Sequence, residues 1–418
     1  MLDQLVPRET LRPATVEELA SHITSLSAVA LRSFNAGLSP TPIIPRGGGT
    51  QQHLGNFPRV ESDKFVAVDT TRLDRVIEYS PDDMIITVEC GMTVGAVQTV
   101  LREHDQFLPL DVPFPARATV GGSLAVGRNA AHRLRYGPPR DFTLGIQVVN
   151  ADGAITKAGA RTVKNVAGYE LHKMYVGSYG TLAILTRATF KIFPLPQATS
   201  TLVVSVDNPD VQSRALELWN LANPPSALAL ASANLAGRFG LHATKDWLLF
   251  VRFAGPKKSV EQGVRQVQFE EIISEDNFLW QTAPEIPHTL HVAHPTGIVL
   301  RIRAPISNLR ALLSTLESLT TTFQFPFSDV HVFGYPANSD LVVAFSAEAT
   351  PAIEFIKRLR AAGTRLGAVI AIDYAPGEIK VALDAWGDTG QSFPLMRSLK
   401  DKFDPLHILN PGRFVGGL

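Results

Sequence analysis

Read from its N terminus, the chain alternates short β-branched runs with glycine clusters for about half its length, then changes rhythm near residue 197. Thr15 followed by Glu18 is a capping box and opens a helix expected to run to about Ala30. Pro42 to Pro45 predicts a short strand, and Phe65 to Val68 and Met84 to Val88 predict buried ones. Val94, Val97, Val100 and Leu101 fall at helical spacing between Thr93 and Glu103. Ile146 to Asn150 and Ala154 to Thr156 flank Asp152-Gly153, the pattern of a hairpin turn. A strand region from Thr181 to Phe193 is stopped by Pro194 and Pro196, which places a domain boundary near residue 197.

Beyond that boundary one order of elements occurs twice. Leu202 to Val206, Ala227 to Ala231 and Trp247 to Phe253 predict strands, with helices over Pro209 to Leu221 and Pro256 to Phe269. Ile298 to Arg303, Val330 to Phe333 and Leu341 to Phe345 predict strands again. Leu309, Leu312, Leu313 and Leu316 mark one helix, and Pro351 to Ala362 another with Gly363 past its end. Each stretch reads β-α-β-β-α, the split order of a ferredoxin-like unit, so the expected fold class is α+β with a duplicated second domain.

Composition narrows the function classes. The chain has 418 residues, 45% of them hydrophobic, which is enough for sizeable cores and excludes wholesale disorder. Lys+Arg and Asp+Glu are both 39, giving a formal net charge of +0, so neither nucleic acid nor an anionic membrane is suggested as a partner. The single cysteine, Cys90, can neither close an intrachain disulfide nor hold an iron–sulfur cluster or structural zinc alone. The opening residues lack a basic stretch followed by an apolar run, and no apolar run approaches ~18 residues. A soluble, cytoplasmic protein without a membrane span is expected.

The chemistry lies in three glycine clusters. Arg46-Gly47-Gly48-Gly49-Thr50 follows a predicted strand, and consecutive glycines let backbone N–H groups converge on an anion. No G-x-G-x-x-G register fits, and no Gly-Lys-Ser/Thr follows, so this is neither a Rossmann nor a Walker loop; alone it is equally a surface turn. Thr119-Val120-Gly121-Gly122-Ser123 repeats the theme, and Gly177-Ser178-Tyr179-Gly180-Thr181 runs into an apolar strand. Together the three favour a large, extended, phosphate-bearing cofactor.

In this order the clusters, with Arg140-Asp141-Phe142-Thr143-Leu144-Gly145 and Val163-Lys164-Asn165-Val166-Ala167-Gly168-Tyr169-Glu170, resemble flavoproteins of the vanillyl-alcohol-oxidase type. With the ending Phe403-Asp404-Pro405 through Asn410-Pro411-Gly412-Arg413, they are most similar to the smaller FAD-binding subunit of bacterial glycolate dehydrogenase (glycolate oxidase). The likeness is dense over residues 40–196, returns at 396–414 and is faint between. It implies an FAD-binding domain over 1–196, a cap of two ferredoxin-like units over 197–395, and a C-terminal segment, 396–418, returning to the FAD domain. Arg46, Gly47, Gly48, Gly49 and Thr50 would then lie on the FAD pyrophosphate. Thr119, Gly121, Gly122 and Ser123 would line the ribityl chain and isoalloxazine. Gly180 and Ile184 would serve the adenine-side half, and Asn410 would approach the flavin from the other side.

Relatives with covalent FAD carry His directly after the first glycines, where this chain has Thr50, so non-covalent FAD is expected; His53 reads as an ordinary loop histidine. Arg128, Arg133, Arg135 and Arg140, with His132 among them, read either as a solvated basic loop or as an anion-facing wall. Lys164-Asn165 beside Gly168-Tyr169 reads as a structural turn with a secondary cofactor role. His288, His291 and His294 have the spacing of a helical face, but Pro284, Pro287 and Pro295 argue against a helix, and no metal is assigned. Val330-His331-Val332-Phe333-Gly334 is not the His-rich motif that supplies the base in related 2-hydroxyacid dehydrogenases, and His331 reads as a core histidine. Arg301 matches an arginine of the glycolate-dehydrogenase subunit; it reads as a substrate-carboxylate contact or equally as a buried structural arginine. The resemblance implies oxidation of a small 2-hydroxyacid, glycolate to glyoxylate, with a larger flavin subunit and an iron–sulfur subunit as partners. The alternative is a stand-alone FAD-dependent 2-hydroxyacid dehydrogenase or oxidase.

Overall fold

The computed structural model describes residues 5–160, 170–273, 276–293 and 296–418. The Val163–Tyr169 run, including Lys164-Asn165, and His294 lie outside the described residues. The chain divides into two compact units. One holds Met1–Asn129, Tyr136–Pro194 and Asp388–Leu418; the other holds Ala130–Arg135 and Leu195–Gly387. Relative to the expected boundaries, the return begins at 388 rather than 396. The short excursion at 130–135 was not expected; its Ala130 and Ala131 are buried in a core of the second unit.

In the first unit, Ile43–Arg46 and Glu9–Leu11 pair in parallel with Val66–Asp69 between them. The helix Val16–Asn35 is opened by the expected box: Glu18 N–H donates to Thr15 Oγ1 at 3.1 Å, and Ala14 N–H donates to Glu18 at 2.7 Å. It runs five residues beyond Ala30, because no glycine or proline intervenes before Gly37 at φ +72°. An antiparallel sheet orders Val76–Ser80, Ile85–Glu89, Ala183–Lys191, Thr143–Asn150 and Ile155–Gly159. Its last two strands are the predicted hairpin, with Gly153 at φ +89° in the turn.

The second unit is built on one eight-stranded antiparallel sheet. Its order is Glu271–Ile273, Ala198–Val206, Trp247–Gly255, Ala227–Ser232, His331–Tyr335, Asp340–Ser346, Gly297–Arg303, Val369–Tyr374. Each half is a β-α-β-β-α-β unit with strand order 4-1-3-2, and the halves meet at their second strands, Leu230 opposite Gly334 and Ala231 opposite Phe333. The repeat therefore has one strand more per half than the sequence pattern suggested. Glu271–Ile273 is a three-residue edge strand, and Val369–Tyr374 follows the last helix directly.

Both faces of this sheet are covered. Leu202, Leu249, Leu300 and Val343 pack with Leu218, Leu312 and Phe355 of the predicted helices. Val203, Phe250, Val299 and Phe333 pack on the opposite side with Trp280, Ile286 and Leu290. Two-sided burial explains why Trp247 to Phe253 is almost uniformly apolar instead of alternating.

Three local readings are corrected. Gly363 lies inside the helix Ala349–Arg365 instead of past its end, because a Cβ there would stand 2.9 Å from Ile370 Cδ1; the stop is at Gly367, φ +62°. The helix beginning at Lys257 ends at Arg265, ahead of Phe269. His288 and His291 do sit on a helix, Ile286–Val292, since Pro287 falls in its first turn where no N–H is needed. Among the described residues no helix is long and apolar enough to cross a membrane.

Candidate functional site

The site lies in the first unit and begins where Ile43–Arg46 ends. Gly47 and Gly48 turn the chain directly onto the segment 117–119: a Cβ on Gly47 would stand 2.1 Å from Thr119 Oγ1, and one on Gly48 would stand 1.7 Å from the Arg117 carbonyl oxygen. That segment is itself fixed, with Val94 N–H donating to Ala118 O at 2.8 Å and Val120 N–H donating to Met92 O at 2.9 Å. Thr119 then caps the short helix Val120–Val126 by accepting from Gly122 N–H at 3.3 Å, while Ser123 Oγ donates to Thr119 O at 2.8 Å. Gly121 packs on Cys90, donating its N–H to Cys90 O at 2.7 Å. Cys90 is fully buried, which pushes its thiol pKa up and keeps it neutral.

The third cluster meets the C-terminal segment. Gly180 has φ +68°, and its α-carbon faces Asn410, whose Nδ2 donates to Tyr179 O at 2.9 Å. Asn410 N–H donates to Ile43 O at 3.0 Å, so residues 408–410 lie beside the strand that feeds the first glycine loop. Asn410 is 3% exposed, and among the described residues its buried Oδ1 has no hydrogen-bond partner.

These pieces line one cavity, open to solvent at its mouth. Arg46, Gly47, Gly48, Gly49, Thr50, Thr119, Gly121, Gly122, Ser123, Gly180, Ile184 and Asn410 all line it. Clusters separated by many residues in sequence are thus neighbours in space. The sequence reading missed Thr70, Gln51, Gln52, Tyr179 and Arg413 on the same wall. Arg413 is buried, and its guanidinium donates to Gln52 Oε1 at 3.0 Å and to Gln52 O at 2.7 Å. Burial lowers its pKa to about 10, which leaves it cationic at neutral pH. Its place in the Asn-Pro-Gly-Arg ending was the one available signal.

Elsewhere the candidate residues separate. None of Arg128, Arg133, Arg135 and Arg140 lines the cavity. Arg135 belongs to the second unit and donates to Ala254 O, while Arg140 is exposed beside Asp141. Arg301, on a strand of the second unit, is mostly buried between two carboxylates, with Nε 2.8 Å from Asp373 and Nη1 2.7 Å from Asp340. Burial opposes its charge, but the two aspartates outweigh that and hold its pKa above the ordinary guanidinium value. The guanidinium is thus already paired with two carboxylates of its own unit. His331 is half-buried at the start of its strand. His291 stacks on Tyr374 with centroids 4.7 Å apart, and His288 Nδ1 lies 3.3 Å from the Tyr374 hydroxyl. Among the described residues no group of three or more His, Cys, Asp or Glu could hold a metal.

Residues 11–159 match the family model described as an FAD binding domain. The alkyldihydroxyacetonephosphate synthase structure has the same fold, with TM-score 0.70 and 18% identity over 97% of this chain and 77% of its own. The chain is thus a flavoprotein on the vanillyl-alcohol-oxidase-type fold, with FAD as its cofactor. It is similar to the glycolate oxidase subunit GlcD of Bacillus subtilis, 23% identical over 98% of this chain and 89% of the relative. It is also similar to the glycolate oxidase subunit GlcE of Escherichia coli, 29% identical over 62% of this chain and 68% of the relative. The residues present suit FAD: glycines that admit close backbone approach, a buried arginine for the pyrophosphate charge, and a buried amide oxygen short of a donor.

Proposed function

We propose that the chain is the FAD-binding subunit of a glycolate (2-hydroxyacid) dehydrogenase, working with a larger flavin subunit and an iron–sulfur subunit in the oxidation of glycolate to glyoxylate. The observation that carries the reading is the convergence of three glycine clusters and Asn410 on one cavity. Arg46 and Arg413 supply positive charge for the pyrophosphate beside Gly47 and Gly48. Gly49 has open space at its α-carbon, which leaves room for the pyrophosphate, and Gly122 meets only Thr119 Oγ1 at 3.2 Å, which leaves room for the ribityl chain and ring. Asn410 Oδ1 would accept a hydrogen bond from a donor on the bound cofactor. Bound FAD supplies the acceptor for the hydride leaving the α-carbon of the 2-hydroxyacid. The protein's part is to hold that cofactor and exclude water around it.

The FAD is held without a covalent bond: among the described residues no histidine or cysteine lines the cavity, and Thr50 has no nucleophilic imidazole to offer. Acid precipitation should leave the yellow colour in the supernatant.

The subunit reading is supported by the likeness to GlcE and by the lone cysteine, which cannot hold a cluster for onward electron transfer. The stand-alone reading is supported by the likeness to a D-lactate dehydrogenase of Archaeoglobus fulgidus, 24% identical over 90% of this chain and 86% of the relative. A base for the hydroxyl proton is commonly worth ~100- to 10,000-fold in rate, and His331 is the candidate on the strand His331–Tyr335. Anaerobic mixing of the purified chain with glycolate or D-lactate, following flavin bleaching, separates the readings. Slow bleaching that accelerates with partner subunits supports the first. Fast bleaching abolished by His331→Ala establishes the second, and a chain that takes up no FAD overturns both.

A further inference from the structure

We propose that Lys400, through its ion pair with Asp404, is a positioning residue that holds Asn410 on the FAD cavity, so cofactor retention depends on a buried charge pair outside the cavity wall. The proposal rests on reading that cavity as the FAD site. Neither residue lines it, and both are buried, at 1% and 0% side-chain exposure.

The geometry is a tripod. Lys400 projects from the helix Phe393–Phe403, and its ammonium donates to Asp404 Oδ2 at 2.5 Å, Thr181 O at 2.7 Å and Leu409 O at 3.0 Å. An ammonium has three N–H groups, and each has an acceptor. Asp404 in turn accepts from Ile408 N–H at 3.0 Å on Oδ1 and from Leu409 N–H at 2.8 Å on Oδ2. One pair thus holds the Ile408 and Leu409 amides, the Leu409 carbonyl and the residue after Gly180. Ile408 O accepts from Ile43 N–H at 2.7 Å, and Asn410 N–H donates back to Ile43 O. The next residue, Asn410, reaches Tyr179 O across the cavity floor.

A pair used only for stability would be replaceable by apolar side chains of similar volume, which often match or exceed a buried ion pair. Apolar side chains have no donors for Thr181 O and Leu409 O and no acceptors for the 408 and 409 amides, so they cannot rebuild the tripod. Stability and cofactor affinity are therefore expected to part company.

The test uses the full chain, stripped of flavin and titrated with FAD, with thermal unfolding of the apoprotein measured in parallel. Lys400→Met should raise the FAD Kd at least tenfold and alter the visible spectrum of the bound flavin. The double variant Lys400→Met/Asp404→Leu should recover the apoprotein Tm while keeping the raised Kd. A Kd within twofold of wild type in folded Lys400→Met, or recovery of the Kd in the double variant, would overturn the proposal. If Lys400→Met does not fold, Asp404→Asn takes its place under the same criterion. Failure of the wild-type chain to bind FAD would instead defeat the reading of the cavity.

Discussion

Gly48 lies against Arg117 so closely that a Cβ on the glycine would stand 1.7 Å from the arginine's carbonyl oxygen. The constraint is one of space: the glycine with positive φ in this loop is Gly49, at +74°. The first loop is therefore packed on 117–119, and neither Gly47 nor Gly48 can take a side chain without displacing that segment. Gly48→Val should abolish FAD binding, and it should also destabilise the apoprotein by about 1–3 kcal/mol or more through overpacking. FAD titration and thermal unfolding check both; retention of stoichiometric flavin would show the pyrophosphate lies elsewhere.

Gly122 makes the opposite case. A Cβ there meets only Thr119 Oγ1, at 3.2 Å, and the residue lines the cavity. Gly122→Leu should fill ligand space and weaken FAD binding, or shift the flavin absorption bands, with little change in the Tm of the apoprotein. Unchanged affinity together with an unchanged spectrum would remove Gly122 from the flavin site.

What could be read in the sequence, and what could not, follows from the range of the forces involved. The glycine clusters were legible because each is a local departure from strand composition, and close backbone approach needs glycine at a fixed place. The capping box at Thr15 and the turn at Gly153 were legible for the same local reason. Lys400 looked like one lysine among many on a helix, since its partner carbonyl at Thr181 is 219 residues away. Arg301 was ambiguous because Asp340 and Asp373 reach it only once neighbouring strands are in register. The helix at His288 was misjudged because proline was weighed as a breaker without regard to its tolerance in a first turn.

Arg301 offers a prediction that separates cofactor binding from the integrity of the second unit. Removing its charge takes the shared guanidinium from Asp340 and Asp373, which are 9% and 1% exposed. Breaking a buried pair in this way costs about 3–5 kcal/mol. Arg301→Met should therefore lower the unfolding midpoint markedly, while the FAD Kd stays within twofold, because every cavity-lining residue belongs to the other unit. Stability close to wild type, with loss only of glycolate turnover, would instead favour Arg301 as a substrate contact.

Asn410 tests the cofactor site most directly. Its backbone has φ +42°, a region that Asn tolerates better than most residues. Its amide is divided between two jobs: Nδ2 donates to Tyr179 O, and Oδ1 has no donor among the described residues. Asn410→Asp keeps size and backbone preference but, when ionised, turns an oxygen towards the Tyr179 carbonyl where an N–H had been. Burial raises the pKa of such a carboxyl, so it is neutral at low pH, where it can still donate, and becomes charged as pH rises. FAD affinity of Asn410→Asp should thus be near wild type at pH 5 and fall through neutral pH. Asn410→Ala should be weak throughout, by about 1–3 kcal/mol. FAD titrations of the three proteins at pH 5 and pH 8 decide it. Equal affinity of Asn410→Asp and wild type at both pH values would mean that neither amide atom is engaged as described.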